Sequence, residues 1–302
     1  MAITAGMVKE LREMTGAGMM DCKKALTETN GDMEAAVEVL RKSGAAKMAK
    51  KASRIAAEGI TRVAFNDNEV VVAEVNSETD FVAKNELFQN FVQLVADTAL
   101  TSDLNGGKNG EDVEALLEMN GLKDELIEKT ATIGEKLSVR RFAKVSGECV
   151  ASYLHAGGKI GVILAADGAA DAKEALTNVA MQIAAMNPSY LDEASVPAEV
   201  IEKEKDILIA QMKEDPKMAN KPEQVLAKIV EGKIGKYYKE NCLLCQEFVR
   251  SDLFEGAVNG YVNSVAKALG ADIKVTSFVR FEKGEGIEKK EDNFAAEIAS
   301  MM

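Results

Sequence analysis

Two cysteines separated by two residues, Cys242-Leu-Leu-Cys245, and the single histidine, His155, are the side chains best suited by type to metal or redox chemistry. A Cys-x-x-Cys pair can supply half of a zinc site or a reactive dithiol. Tetrahedral zinc needs four ligands, however, and Cys22 and Cys149 lie far off in the chain. Buried free thiols are the expectation. A Ser-His-Asp arrangement has only His155 to draw on, and no Gly-x-Ser-x-Gly elbow accompanies it. Gly158-Lys159 is followed by Ile160, and Tyr153 stands where a P-loop needs its first glycine, so both that glycine and the magnesium-binding hydroxyl are missing. Gly16-Ala-Gly18 follows a helical pattern rather than a strand, which is the wrong context for a dinucleotide fingerprint. With 49 acidic residues, paired carboxylates carry no signal. The expectation is a chain with no metal, no cofactor, no nucleotide site and no covalent chemistry of its own.

Binding is a better use of its unusual residues. The segment Asn76-Ser-Glu-Thr-Asp-Phe-Val-Ala-Lys-Asn85 joins a buried strand pattern, Glu69–Val75, to a helical one marked by Leu87, Phe88, Phe91, Val92 and Val95. Thr79 or Asp80 is expected to cap that helix. Phe81 then lies in the first turn, where its ring either folds back as a hydrophobic staple or projects as a rigid wedge. Met19 and Met20 point about 100° apart on a helix, so one is expected in the local core and at least one as an adaptable interface anchor. His155-Ala-Gly-Gly158 reads as a hairpin tip: Gly157 and Gly158 supply the positive φ of a turn, and His155 is expected to be exposed or partner-bound. Asp292–Met301 reads as a short amphipathic helix that either packs back through Phe294 and Ile298 or reaches a partner.

The elements that must carry these residues follow from caps and periodicity. Thr4 caps a first helix that Gly16-Ala-Gly18 breaks. Met19–Thr29 forms a second, stopped by Asn30-Gly31, and Asp32 caps a third that Gly44 is expected to end. Ala45–Ala57 reads as a helical linker. Next come a hairpin (Ile60–Phe65, Glu69–Val75), the helix Glu86–Leu100, a flexible break at Gly106–Gly110, short helices near Val113–Met119 and Leu122–Thr130, and the strand Leu137–Ala143. The pattern returns with Cys149–Leu154, Ile160–Ala166, the helix Ala170–Met186 and the strand Val275–Phe281. Between them Pro197–Met212 and Pro222–Tyr238 read as a helical hairpin standing off the body. The fold class is α+β: an N-terminal three-helix module similar to ubiquitin-associated domains, duplicated α+β core subdomains with antiparallel sheets, an inserted helical hairpin and a short C-terminal helix. The expected divisions are 1–55, 56–145, 146–196 with 239–283, 197–238, and 284–302.

Thr79-Asp-Phe-Val-Ala-Lys-Asn85 resembles the signature of the elongation factor Ts family, the nucleotide exchange factors of bacterial and organellar translation. Val8–Leu26 is similar to that family's opening segment nearly residue for residue. His155–Val162 and Arg280–Glu288 resemble two further family segments in the expected order, so the resemblance runs from end to end. It implies a guanine nucleotide exchange factor for elongation factor Tu. In the implied roles Phe81 enters the partner's GTP-binding domain and displaces a helix near its magnesium site, Thr79 and Asp80 fix the corner, and Val82 packs beneath. Arg12, Met19 and Met20 meet the GTP-binding domain, whereas His155, Gly157 and Gly158 face the third domain. The excursion at 197–238 resembles the family's coiled coil. The C-terminal helix is implied to reach the GTP-binding domain, although Asn293 stands where the family usually has Asp, leaving Asp292 as the nearer acid. A 1:1 complex is the reading, with homodimerisation as the alternative.

Composition limits the other classes. A formal charge of −12 excludes a globally basic nucleic-acid binder, although Lys47–Arg54 is locally basic, and no RNA contact is expected. No stretch approaches the ~18 apolar residues of a membrane span. The first residues interleave Lys9 and Arg12 with Glu10 and Glu13, unlike an export or transit signal, so the cytoplasm is the expected location. The rival from another class is an adaptor that holds a partner without changing its affinity for nucleotide.

Overall fold

The computed structural model describes residues 3–168, 170–215 and 221–288. The expected C-terminal helix, with Asp292, Asn293, Phe294 and Ile298, lies outside them. Three helices open the chain: α1 (Ala5–Thr15), α2 (Met19–Glu28) and α3 (Met33–Lys51). The Thr4 hydroxyl accepts from the Met7 N–H at 3.3 Å, and the Asp32 carboxylate accepts from the Ala35 N–H at 3.0 Å, so both expected caps form. Val8, Leu11, Cys22, Ala25, Leu26 and Ala36 fill a small core between them.

Gly44 does not end α3. The helix continues for two more turns, and a Cβ at Gly44 would stand 2.9 Å from the Ile127 side chain. The glycine is there for close approach: α3 lies along α7 (Leu122–Ile133), and this seats the N-terminal helices on the body. Lys47 reaches back to Asp21 at 2.8 Å, and Arg41 pairs with Asp124 across the contact.

The body is built on two three-stranded antiparallel sheets. The first is β1 (Glu58–Phe65), β2 (Glu69–Ser77) and β3 (Ser138–Ser146), with β2 central. The second is β4 (Cys149–His155), β5 (Ile160–Asp167) and β6 (Lys274–Glu282), with β5 central. Register shifts fall at Glu74/Val75 in β2 and Ala165/Ala166 in β5, the same place in each central strand. The sheets face each other across Val70, Val72, Ala143, Val150, Ile163, Ala165 and Phe281. On its outer face the first sheet packs Val71, Ala73 and Val75 against α5 (Glu86–Thr101). On the far side Val162, Leu164 and Ala166 pack against α8 (Lys173–Met186). Both central strands are therefore covered on two faces, which is why they read as continuous apolar runs rather than alternating ones.

The halves match beyond the expected elements. A helix precedes the closing strand in each: α7 before β3, and α11 (Val258–Leu269) before β6. Helix α11 is not among the elements expected from sequence, although its Val258, Tyr261, Val262 and Ala266 lie at helical spacing and are all buried. The Gly106–Gly110 segment is no flexible break. Gly107 donates to the Phe142 carbonyl at 2.7 Å, and the Asn105 carbonyl accepts from Lys144 at 2.9 Å, so the segment borders β3 before it leads into α6 (Val113–Leu117). A Cβ at Gly106, whose φ is +64°, would lie 2.2 Å from the Phe142 carbonyl oxygen. Within the second half, between α8 and α11, α9 (Ala198–Glu214) and α10 (Glu223–Asn241) pack through Ile201, Leu208, Met212, Val230 and Ile234. No helix among the described residues is long and apolar enough to cross a membrane.

A buried ionic knot ties the end of β6 to the first sheet. Glu74, fully buried, accepts from Arg141 Nε at 2.6 Å, Arg140 Nη1 at 3.0 Å, Asn76 Nδ2 at 3.1 Å and the Gly284 N–H at 2.8 Å. Arg141 also donates to the Glu282 carbonyl at 3.2 Å and stacks 4.2 Å over the Phe281 ring. Gly284 has φ +68°, and a Cβ there would strike the Ala57 carbonyl. That accounts for the Phe281-Glu-Lys-Gly284 run in residue terms.

Candidate partner-binding surface

The corner after β2 is shaped by a residue that sequence reading missed. Glu135, just beyond α7, accepts from the backbone N–H groups of Glu78 at 3.1 Å and Thr79 at 3.0 Å, and from the Thr79 hydroxyl at 2.6 Å. Nothing local announces it, because Thr79 and Glu135 are brought together only by the fold. The Ser77 hydroxyl adds a bond to the Thr79 carbonyl at 3.0 Å. Thr79 thus fixes the corner but does not cap the long helix. A separate single turn, α4 (Asp80–Ala83), follows it, and α5 is capped instead by Asn85, which accepts from the Leu87 and Phe88 N–H groups at 2.8 and 3.4 Å. The caps expected of Thr79 and Asp80 are corrected in this respect: their oxygens are engaged by Glu135 and Lys84.

Lys84 Nζ stands 2.9 Å from the Asp80 carboxylate, and this hydrogen bond holds the Asp80 carboxyl below its usual range. The positive charge of Lys159, beside the second hairpin's tip, makes the smallest contribution to that lowering. The Phe81 ring is 79% exposed, with Lys84 Nζ 5.8 Å from its centroid. It does not fold back as a staple. Val82 and Ala83, one and two residues on, are buried in the first core and anchor the turn from below.

At the tip of the β4–β5 hairpin, Ala156, Gly157 and Gly158 all have positive φ, from 48° to 98°. His155 is exposed, and its Nδ1 lies 3.2 Å from the Tyr153 hydroxyl. Gly157 is exposed as well, but Gly158 is buried: its carbonyl accepts from the Thr61 N–H at 2.7 Å and the Thr61 hydroxyl at 3.0 Å. Gly158 therefore belongs to the contact between the two sheets, where a Cβ would lie 2.6 Å from the Thr61 carbonyl oxygen.

The third cluster is on the N-terminal helices. Met19 and Met20 are 59% and 76% exposed, so neither fills the local core, contrary to the expectation for one of them. Cys22, Ala25 and Leu26 take the inward positions of α2 instead. Met19, Met20 and Arg12 line one open groove together with Ile3, Val8 and Lys23. An apolar floor rimmed by cations is fitted to an acidic, partly apolar protein surface. The thiols have a different character. Cys22, Cys149 and Cys242 are buried, Cys245 is half-buried, and burial pushes the Cys242 thiol up to about 12. A thiol so hard to ionise is a poor nucleophile at neutral pH.

A family model described as elongation factor TS matches residues 78–285, from the Phe81 corner to the knot at Gly284. The chain belongs to the elongation factor Ts family. The elongation factor Ts of a Nitratiruptor species is 51% identical over 316 residues, an alignment that takes in 100% of both chains. The Met19–Met20 groove precedes the span of the family model but falls within that full-length match to an elongation factor Ts.

Proposed function

We propose that this protein is a guanine nucleotide exchange factor for elongation factor Tu, acting in translation elongation and carrying out no covalent chemistry of its own. Membership of the elongation factor Ts family supports the partner and the activity. The observation that carries the mechanism is the Phe81 ring, held 79% exposed on a corner whose neighbours Thr79 and Val82 are bound from two sides. Magnesium holds a bound nucleotide by bridging phosphate oxygens to protein ligands, so displacing those ligands loosens GDP without breaking a bond. In this reading Phe81 is the wedge that enters the GTP-binding domain near that magnesium. Thr79 and Asp80 set its direction, and Val82 holds its base. Arg12, Met19 and Met20 grip the GTP-binding domain, while His155 and Gly157 face the third domain, with Gly158 shaping that tip from inside. Neither nucleotide nor nucleic acid is bound by the factor itself, and its work is done in the cytoplasm.

A factor that prefers the empty GTPase weakens nucleotide binding by the same factor that nucleotide weakens its own. Each ~1.4 kcal/mol of coupling is tenfold in affinity. The test is stopped-flow release of fluorescent GDP from elongation factor Tu. Acceleration by the factor is expected, and no acceleration at saturating factor ends the claim. Titration against nucleotide-free and GDP-loaded partner separates exchange from mere adaptor binding, because an adaptor binds both equally.

A further inference from the structure

The hairpin tip and the Phe81 corner are joined by side chains to which none of the roles above assigns a task. Arg62 Nη1 donates to the Gly157 carbonyl at 3.4 Å, at the tip. Arg62 Nη2 donates to Gln89 Oε1 at 3.0 Å, and Gln89 Nε2 donates to the Ala83 carbonyl at 3.1 Å. Ala83 is the last residue of α4, the turn that carries Phe81. The line therefore runs from one expected partner contact, through β1 and the start of α5, to the base of the other. Its polarity is fixed by chemistry. A guanidinium only donates and a carbonyl only accepts, so the middle residue must both accept and donate, as an amide does. Arg62 and Gln89 are both half-buried, which partly shields the two links at Gln89 from bulk water, whereas the link to Gly157 is exposed. Arg62 is further steadied by the Thr61 carbonyl at 3.2 Å, beside the point where Thr61 binds Gly158.

We propose that Arg62 and Gln89 are positioning residues that couple the hairpin tip to the Phe81 corner, so that partner contact at the tip sets the angle at which the wedge enters. The coupling rests on the wedge reading above. It gives the two grips a shared purpose: engagement of the third domain stiffens the turn that acts on the GTP-binding domain. A coupling of this kind needs a discrete physical connection, and these three hydrogen bonds supply one.

Gln89→Glu tests it selectively. The carboxylate still accepts from Arg62, gaining an ion pair, but it cannot donate to the Ala83 carbonyl, so only the last link is cut. GDP release from elongation factor Tu is measured over a range of factor concentrations for wild type, Q89E, F81A and Q89E/F81A, with the melting temperature of each. Q89E is expected to lower the maximal release rate about fivefold to tenfold, the scale of one lost hydrogen bond, with little change in half-saturating concentration or melting temperature. In the F81A background it is expected to add nothing. A normal maximal rate for Q89E beside a slow F81A overturns the coupling and leaves the wedge standing. So does a loss that appears only in the half-saturating concentration or tracks a lowered melting temperature. Normal release by F81A overturns the wedge itself, and the coupling with it.

Discussion

Phe81 is an apolar ring left in water by a backbone that is otherwise tightly bound, and that pairing of exposure with rigidity is what an interface anchor requires. Because the ring contributes almost nothing to its own core, Phe81→Ala is expected to leave the melting temperature nearly unchanged. GDP release should slow by the equivalent of ~2 kcal/mol or more, the usual loss at a hot-spot aromatic. Stability and release measured on one sample check this, and a destabilised variant with normal exchange would remove Phe81 from the mechanism. The residue itself was legible, since an aromatic at a strand-to-helix corner stands out by type and position. Its support was not. Glu135 and Gln89 are polar residues in unremarkable surroundings, and they acquire roles only when α7 and α5 bring them to the corner. Likewise Glu74 sits inside an apolar run, and the partners that make its burial tolerable come from β3 and the turn after β6.

At the scale of elements, what was legible was local. Caps at Thr4 and Asp32, the turn at Gly157-Gly158, and the two apolar central strands all depend on neighbours in sequence. Gly44 shows where that logic fails. A glycine within a helical pattern costs roughly 1 kcal/mol relative to alanine, so it reads as a stop. Here it is the point of closest approach to Ile127. Gly44→Val is expected to push α3 off α7. The two-sheet body should melt as before, while the N-terminal helices become cleavable at far lower protease concentrations. Limited proteolysis with mass mapping would show it, and an unchanged cleavage pattern would mean that the close contact does not hold the module in place. Half-saturation in the exchange assay should rise in the same variant, because the groove of Met19, Met20 and Arg12 moves with those helices.

At the scale of the whole molecule, the knot around Glu74 joins what sequence reads as separate units. Glu74→Ala leaves Arg140 and Arg141 facing a buried gap, and the loss of one partner from a buried pair typically costs ~3–5 kcal/mol. Urea unfolding is expected to show that loss in a single transition covering both sheets. Two separated transitions would show that the halves are not coupled through it. Assembly is a matter of the same scale. Ile201, Leu208, Met212, Val230 and Ile234 close part of the seam between α9 and α10, while Ile207, Ile209 and Val225 stay exposed on the hairpin; a 1:1 complex is our proposal, and pairing through those exposed side chains is its rival. Light scattering of the free and bound factor decides it, and a free dimer persisting in the complex would reverse the expectation.

The knot also sets an order of events in time. A chain leaving the ribosome exposes its first sheet long before Phe281, Glu282 and Gly284 exist. Until they arrive Glu74 lacks its backbone donor, and Arg141 lacks both the ring it stacks on and a carbonyl it binds. Domains generally form as they emerge, at about 5–20 residues per second. This fold postpones its closure to β6, so nascent chains halted before Lys274 should stay open to protease in both halves. A protein of the translation machinery would then depend on its own synthesis having passed Gly284 before either sheet is secure.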